Sequence, residues 1–271
     1  MKFSMVPQLI SQLFKQPFTN KFPAKYTPPS VTKFLEDVSK GKAKCLFCGN
    51  VIGIKELKNL FKGGKIGERL AIVIIPGKRG KKYTLADKED IQIFETVNEI
   101  LEKKRNELRK KYNIDPLPIE DLPPPGTLGF RVNLWGFDKW YKLFNSRQLL
   151  SLLVFLDKIK EAQKKILKET NDKEYTKAVI TYLGFILDRV ADANSSMCSW
   201  NSNWEVIRYT FARNALPMVW DYIELNPIGE FSGYNWNGTM KIICSVLEPV
   251  SYTHLRAHET RHDLVCRLLL E

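Results

Sequence analysis

Histidine is scarce in this sequence and is confined to one short stretch near its end. The chain has 271 residues, and its three histidines all lie between His254 and His262. Such clustering is unusual for an active site, whose groups normally come from several elements of a fold. The first 253 residues also contain no imidazole that would help to complete a metal site.

Long hydrophobic runs are missing as well. The first 18 residues are interrupted by proline, glutamine and lysine, so they lack the apolar stretch of a signal peptide. The longest apolar run, residues 149–156, is far too short to span a bilayer. The five cysteines are odd in number and scattered, which argues against a disulfide framework. We therefore expect no membrane partner, a reducing environment and a cytoplasmic location.

Acidic residues are rare between Lys40 and Lys82, where twelve Lys or Arg accompany only Glu56 and Glu68. This region has a net charge of +10, and the whole chain has a net charge of +12. Clustered positive charge predicts a polyanionic partner, most simply double-stranded DNA. The alternative is a solvated basic face with no partner. The candidate contacts in this region are Lys42, Lys44, Lys78, Arg79, Lys81 and Lys82.

Two of the cysteines form a C-x-x-C pair, Cys45 and Cys48, followed by Gly49. This spacing lets two thiolates of one turn reach the same metal ion. A structural zinc site needs four ligands, however, and Cys198 and Cys244 stand alone in sequence predicted to be helical. The pair therefore predicts half of a zinc site. A reduced, partly buried cysteine pair without metal is the alternative.

The C-terminal stretch contains the motif H-E-x-x-H at residues 258–262, the signature of zinc proteases. Residues 250–260 are, however, similar to one reading frame of a transposon-end sequencing adapter. We expect the residues from about 249 onward to be translated adapter and the motif to be accidental. We also expect the natural sequence to continue beyond Glu248.

Apolar spacing predicts a mostly α-helical chain with a small β ribbon, resembling part of a zinc ribbon, near the N-terminus. Long helices are predicted over 88–112, with Asp87 as its cap, over 147–169, with Asn145 as its cap, and over 173–192. Shorter helices are predicted near 203–214, 216–224 and 238–247, and two strands joined by a basic turn are predicted over 69–85. The expected segments are a loose lead-in at 1–39, a basic partial zinc-ribbon segment at 40–86, a helix at 87–114, a proline-rich linker at 115–126, a helical region at 127–248 and the adapter-like residues at 249–271.

Aromatic and basic side chains are interleaved between Met197 and Asn214, namely Trp200, Trp204, Tyr209 and Phe211 with Arg208 and Arg213. Interleaving of this kind can stack nucleobases and hold phosphates, which adds Trp200, Arg208 and Arg213 to the candidate nucleic-acid contacts. Aromatic residues at helical spacing are also typical of a protein core. The sequence leaves both interpretations open.

Several blocks of the sequence resemble adenine-specific DNA methylases that contain a zinc ribbon. The segment KGKAKCLFCGNVI and the GKIGERLAIVI and GKKYTLADKEDI segments after it look like the second half of that ribbon. The block LGFRVNLWGFDKWYKLFNSRQLLSLLVFLDKI resembles the region that follows the ribbon. The block from YLGFILDRV to DYIELNP, continued by FSG at 231–233, resembles the next region. The resemblance runs in order over about residues 40–248.

This resemblance implies an interior fragment of an S-adenosylmethionine-dependent enzyme that methylates adenine N6 in DNA. The family has an α/β Rossmann-like catalytic domain, with a glycine-rich cofactor motif before the ribbon and an Asp-Pro-Pro-Tyr motif after the FSG block. This chain contains neither motif, nor the upstream C-x-x-C of the ribbon. It therefore offers no catalytic or cofactor-binding residue, and we expect it to be inactive without the remainder of the methyltransferase chain.

Within that family, insertions between the cofactor and catalytic halves often form the DNA-recognition surface, a role that suits the basic segment. The alternative is a non-catalytic nucleic-acid-binding module with a partial zinc site.

Overall fold

The computed structural model describes residues 38–39, 42–44, 50–65, 67–68, 70–78, 80–213, 215–229 and 233–248. The described part is mostly helical, with three small antiparallel sheets. This confirms the predicted mostly α chain with a small β ribbon near the N-terminus. Cys45, Cys48 and Arg79 lie outside the described residues, as do the predicted lead-in before Val38 and the predicted adapter-like tail.

The basic segment begins with a three-stranded sheet and a short helix. Strands β1 (Val38–Ser39), β2 (Lys42–Lys44) and β3 (Val51–Gly53) pair in that order. Helix α1 (Ile54–Lys62) follows directly and buries Leu57. It ends at Gly63, whose amide donates to the Asn59 carbonyl as a glycine at a helix end commonly does.

The next hairpin pairs β4 (Ile72–Pro76) with β5 (Lys81–Leu85). Its residues alternate between two faces. Val73, which is fully buried, lies opposite Thr84 on one face, and Ile74 lies opposite Tyr83 on the other. The basic turn 77–80 closes the hairpin through a hydrogen bond from the Gly77 amide to the Gly80 carbonyl.

Three long helices form the centre of the structure, and their bounds agree with prediction. They are α2 (Lys88–Tyr112), α3 (Ser146–Thr170) and α4 (Lys173–Asp192). The predicted caps are present, because the side chains of Asp87 and Asn145 accept from the backbone amides of Asp90 and Gln148. Local side-chain-to-backbone bonding thus sets where these helices start.

The helices bury apolar side chains in three neighbouring clusters. One lies between α3 and α4 and includes Phe155, Ile159, Leu183 and Ile186. A second, between α2 and α3, contains Leu101, Leu108, Leu149 and Leu153. The third gathers residues from the irregular segments around α3, namely Leu122, Phe130, Val132, Leu143, Met197 and Leu216.

An aromatic trio joins the basic segment to the helical region. Phe61 of α1 makes edge-on contacts with Trp135 and Trp220, with ring centroids 5.5 Å away in each case, and the two tryptophans are 5.0 Å apart. Gly136 has φ of +91°, and a Cβ atom there would lie 3.1 Å from Cα of Lys62. A glycine is therefore required where α1 crosses this turn.

The predicted helices near 203–214 and 216–224 are wrong. Strands β6 (Ser199–Asn201) and β7 (Val206–Arg208) form a hairpin there, and residues 215–226 have no regular structure. Turn-forming residues at 201–203 and β-branched Val206 and Ile207 favour the hairpin over a helix. The helix predicted near 238–247 is confirmed as α5, residues 236–248.

The proline-rich segment 115–126 forms neither helix nor strand apart from an isolated bridge between Asp121 and Lys139. It packs onto the helical region, where Leu117 and Leu122 are buried. Within the described ranges, no helix combines the length and the apolar character needed to cross a membrane.

Candidate nucleic-acid interface

The structure brings the two sequence-distant groups of candidate contacts together. The ammonium of Lys81, at the start of β5, lies 5.0 Å from the ring centroid of Trp200 on β6, a cation–π distance. The same ammonium donates to the backbone carbonyl of Glu205, and the Tyr83 hydroxyl is hydrogen-bonded to the Glu205 carboxylate. The β4–β5 hairpin therefore holds the turn of the β6–β7 hairpin.

This turn, residues 202–205, has an unusual backbone. Glu205 is left-handed with φ of +49°, a conformation that costs free energy for a residue other than glycine. The contacts from Lys81 and Tyr83 offset that cost. The amide of Asn203 also donates to the Asn201 side chain at 3.3 Å.

Trp204 lies beside Glu205 in the turn and is 77% exposed. No other large apolar side chain among the described residues is as exposed. Trp204 belongs to the aromatic cluster at 197–214 but is not one of the candidate contacts predicted from the sequence. The turn residues at 201–203 were the available signal.

The charged candidate contacts with nucleic acid differ in exposure and in the strand face on which they lie. Lys78, Lys82, Arg208 and Arg213 are exposed, and none of them forms an ion pair with a residue that the structure describes. Arg208 pairs with Ser199 across the hairpin and Trp200 pairs with Ile207, so Arg208 and Trp200 lie on opposite hairpin faces. Lys42 and Lys44 belong to β2, whose side chains are not described.

A buried polar network anchors the base of the β6–β7 hairpin. The hydroxyls of Ser195 and Thr210 lie 2.7 Å apart, and Thr210 also donates to the Asp192 carbonyl at 2.7 Å. Cys198 is fully buried beside them, and burial raises the pKa of its thiol. A raised pKa disfavours the thiolate, which is the reactive form of cysteine, and the buried thiol instead takes part in this network.

The remaining aromatic residues of this stretch contact other elements. Tyr209 packs edge-on against Tyr234 at 4.9 Å, and the Arg189 guanidinium lies 5.5 Å from the Tyr234 ring centroid. Phe211 is 53% exposed but lies 6.4 Å from Trp140. The cluster is thus divided between packed rings and the exposed Trp204.

A second polar cluster joins the start of α3 to the segment before α5. The Asn145 amide donates to the Tyr222 hydroxyl and to the Glu224 carboxylate, both at 2.8 Å. Tyr222 in turn donates to Glu68 at 2.7 Å, and Arg147 pairs with Glu224 at 2.9 Å. These bonds attach the basic segment to the helical region, so their function is structural.

A groove of about 260 Å³ lies between α3 and α4. It is smaller than typical cofactor pockets and does not fit S-adenosylmethionine. No carboxylate is available in it for ribose hydroxyls, since it is lined by Gln163, Leu167, Lys173, Thr176, Lys177, Ile180 and Thr181. The described residues likewise contain no group of three or more His, Cys, Asp or Glu that could hold a metal ion.

None of the protein families, curated proteins or solved structures compared with this chain matches it. The methylase resemblance of its sequence blocks therefore stays a prediction.

Proposed function

We propose that this chain is an interior region of an S-adenosylmethionine-dependent DNA adenine methyltransferase and that its role there is to contact double-stranded DNA. The observation that supports DNA contact is the position of Lys81. This residue joins the basic β4–β5 hairpin to the β6–β7 hairpin through the Trp200 ring and the Glu205 carbonyl, so candidate contacts from two distant parts of the chain, Lys81 and Trp200, lie side by side.

The charge of this surface suits a phosphate backbone. Lys78 is exposed in the β4–β5 turn, and Lys82 and Arg208 are exposed on the hairpin faces opposite Lys81 and Trp200. None of the three has an acidic partner among the described residues. Cations that are not engaged in ion pairs can release the counterions of DNA when they bind, which is the main source of non-specific affinity.

DNA binding is tested with two charge-matched double variants. Lys78→Gln/Lys82→Gln removes two charges from the proposed surface, and Lys160→Gln/Lys164→Gln removes two exposed charges from α3. Fluorescence anisotropy with a 20-base-pair duplex is measured over a range of salt concentrations. We expect the first variant to lower the magnitude of the log–log salt slope by about 2, and the second to leave it unchanged.

Equal effects of the two double variants would contradict the assignment of this surface, because attraction by net charge alone would then explain binding. Absence of binding by the unaltered chain at low salt would contradict DNA contact altogether.

The catalytic part of the proposal predicts no activity for this chain alone. Incubation of the purified chain with DNA and methyl-labelled S-adenosylmethionine should give no labelled DNA, because the chain lacks the cofactor and Asp-Pro-Pro-Tyr motifs. Labelled N6-methyladenine in the DNA would show that the described fold is itself a complete enzyme.

A non-catalytic nucleic-acid-binding module is the second candidate, favoured by the same basic surface. The genomic reading frame distinguishes the two functions. A frame that continues after the codon for Glu248 into an Asp-Pro-Pro-Tyr motif supports the methyltransferase, and a natural stop codon there supports the module.

A further inference from the structure

We propose that Trp204 stacks on an unpaired nucleobase, so that this surface prefers DNA with a displaced or unpaired base to intact duplex. The inference rests on the proposed DNA contact and adds the kind of DNA that is recognised. It assigns a role to a residue that was not among the candidates from sequence.

The first argument is the position of the indole. Trp204 lies at the tip of the β6–β7 hairpin and is 77% exposed, whereas hydrophobic burial would favour placing so large an apolar ring inside. Trp200, by contrast, is half-buried and has the Lys81 ammonium near its ring at 5.0 Å. Of the two rings, Trp204 is the more exposed to a ligand.

The second argument is that the turn is held in place from outside the hairpin. Lys81 bonds the backbone of Glu205 and Tyr83 bonds its carboxylate, although both partners come from a different part of the chain. A fixed turn loses little conformational entropy when its tip residue is bound. The backbone that carries the indole is therefore preorganised for contact.

The third argument is charge complementarity. Exposed Lys78 lies in the β4–β5 turn, at the hairpin end where Lys81 contacts Glu205. Lys82 and Arg208 are exposed on the same two hairpins, on the faces opposite Lys81 and Trp200. The carboxylate of the 202–205 turn, that of Glu205, is bonded to Tyr83. An exposed aromatic ring can stack on a base, and cations near it can bind phosphates. This combination suits a nucleic acid.

The preference for an unpaired base follows from how duplex DNA is built. In an intact duplex both faces of each base are covered by neighbouring base pairs, so a single indole cannot stack without opening the helix. A bulged or displaced base has a free face and has already lost its pairing. Base–aromatic stacking tolerates all four bases, so we expect no sequence preference from this contact.

The test compares two DNA probes by fluorescence anisotropy at low salt: a 20-base-pair duplex, and the same duplex with one unpaired adenine. The unaltered chain should bind the bulged probe about tenfold more tightly. Trp204→Ala should abolish this ratio and leave affinity for the intact duplex unchanged, and Trp204→Phe should retain part of the ratio. Circular dichroism verifies that each variant is folded.

Phe185→Ala is the matched control, since it removes another exposed aromatic ring, 54% exposed, from helix α4. It should leave the ratio at about ten. Equal affinity of the unaltered chain for the two probes, or an unchanged ratio in Trp204→Ala, would overturn the role of Trp204 while duplex binding still stood. If the unaltered chain bound neither probe, the proposed DNA contact itself would be overturned.

Discussion

At the scale of single residues, the carboxylate of Asp157 joins two lysines and a tyrosine in one buried contact. Its carboxylate is 6% exposed and accepts from Lys104 at 2.8 Å, from Lys111 at 2.6 Å and from the Tyr112 hydroxyl at 2.8 Å. All three partners belong to α2, and Asp157 belongs to α3. This ionic contact therefore holds the two helices in register.

The pKa of Asp157 shows that hydrogen bonding outweighs burial at this carboxyl. Burial alone would raise the pKa of this carboxyl, but the hydrogen bonds from Lys104, Lys111 and Tyr112 outweigh it and lower the pKa to about 2. A carboxyl whose pKa is lower in the folded state stabilises the fold above its unfolded pKa, which is about 3.9. The contribution is lost as pH falls from there through about 2.

We expect Asp157→Asn to lower the free energy of unfolding at pH 7 by about 2 kcal/mol, because charge-assisted hydrogen bonds become neutral ones. Urea unfolding followed by circular dichroism measures the difference. The gap between variant and unaltered chain should narrow as the pH is lowered from 4 to 2. A gap that is the same at pH 7 and pH 2.5 would contradict the ionic role of Asp157.

At the scale of elements, the contact of α1 with the turn at Val132–Trp135 depends on one glycine. Gly136 closes that turn with φ of +91°, and Lys62 Cα would lie 3.1 Å from an added Cβ. Gly126 provides a matched comparison. Its φ is +90°, but an added Cβ there would have no neighbour within 4 Å.

Gly126→Ala should therefore cost about 1–2 kcal/mol from backbone strain alone. Gly136→Ala should cost about 1 kcal/mol more, because the added methyl also pushes α1 away. Urea unfolding of the two variants gives the difference directly. If the two alanine variants were equally stable, the close approach of α1 to this turn would not be real.

At the scale of the whole molecule, the basic segment and the helical region are held together by rings and by polar bonds. Phe61, Trp135 and Trp220 make the aromatic contact, and Tyr222 bonds Glu68 beside it. The β4–β5 hairpin makes its own contact with the β6–β7 turn. The DNA-contacting surface that we propose exists only while these contacts persist.

Trp220→Ala should loosen α1 and leave the three-helix centre intact, with a loss of about 2 kcal/mol because Trp220 is 41% exposed. Hydrogen–deuterium exchange should show faster exchange in α1 and no change in α3 and α4. Trp204→Ala is the control and should change stability by less than about 0.5 kcal/mol, since Trp204 is 77% exposed. Faster exchange throughout α3 and α4 in Trp220→Ala would show that the trio supports the whole fold.

The sequence alone determined the three long helices of this protein and their starting points. Apolar spacing predicted α2, α3 and α4, and the caps at Asp87 and Asn145 were recognised because they depend on residues three positions away. The β4–β5 hairpin and the excess of positive charge could also be predicted from the sequence, because each depends on residues that are neighbours along the chain.

Only the tertiary structure decided how the hairpin between Ser199 and Arg208 is held in place. Local turn-forming and β-branched residues favour this hairpin, but its turn is held by Lys81 and Tyr83, the former 124 residues away from Glu205. Bonds between such distant segments are not encoded by spacing along the chain. The exposure of Trp204, on which the proposed base contact depends, results from that arrangement.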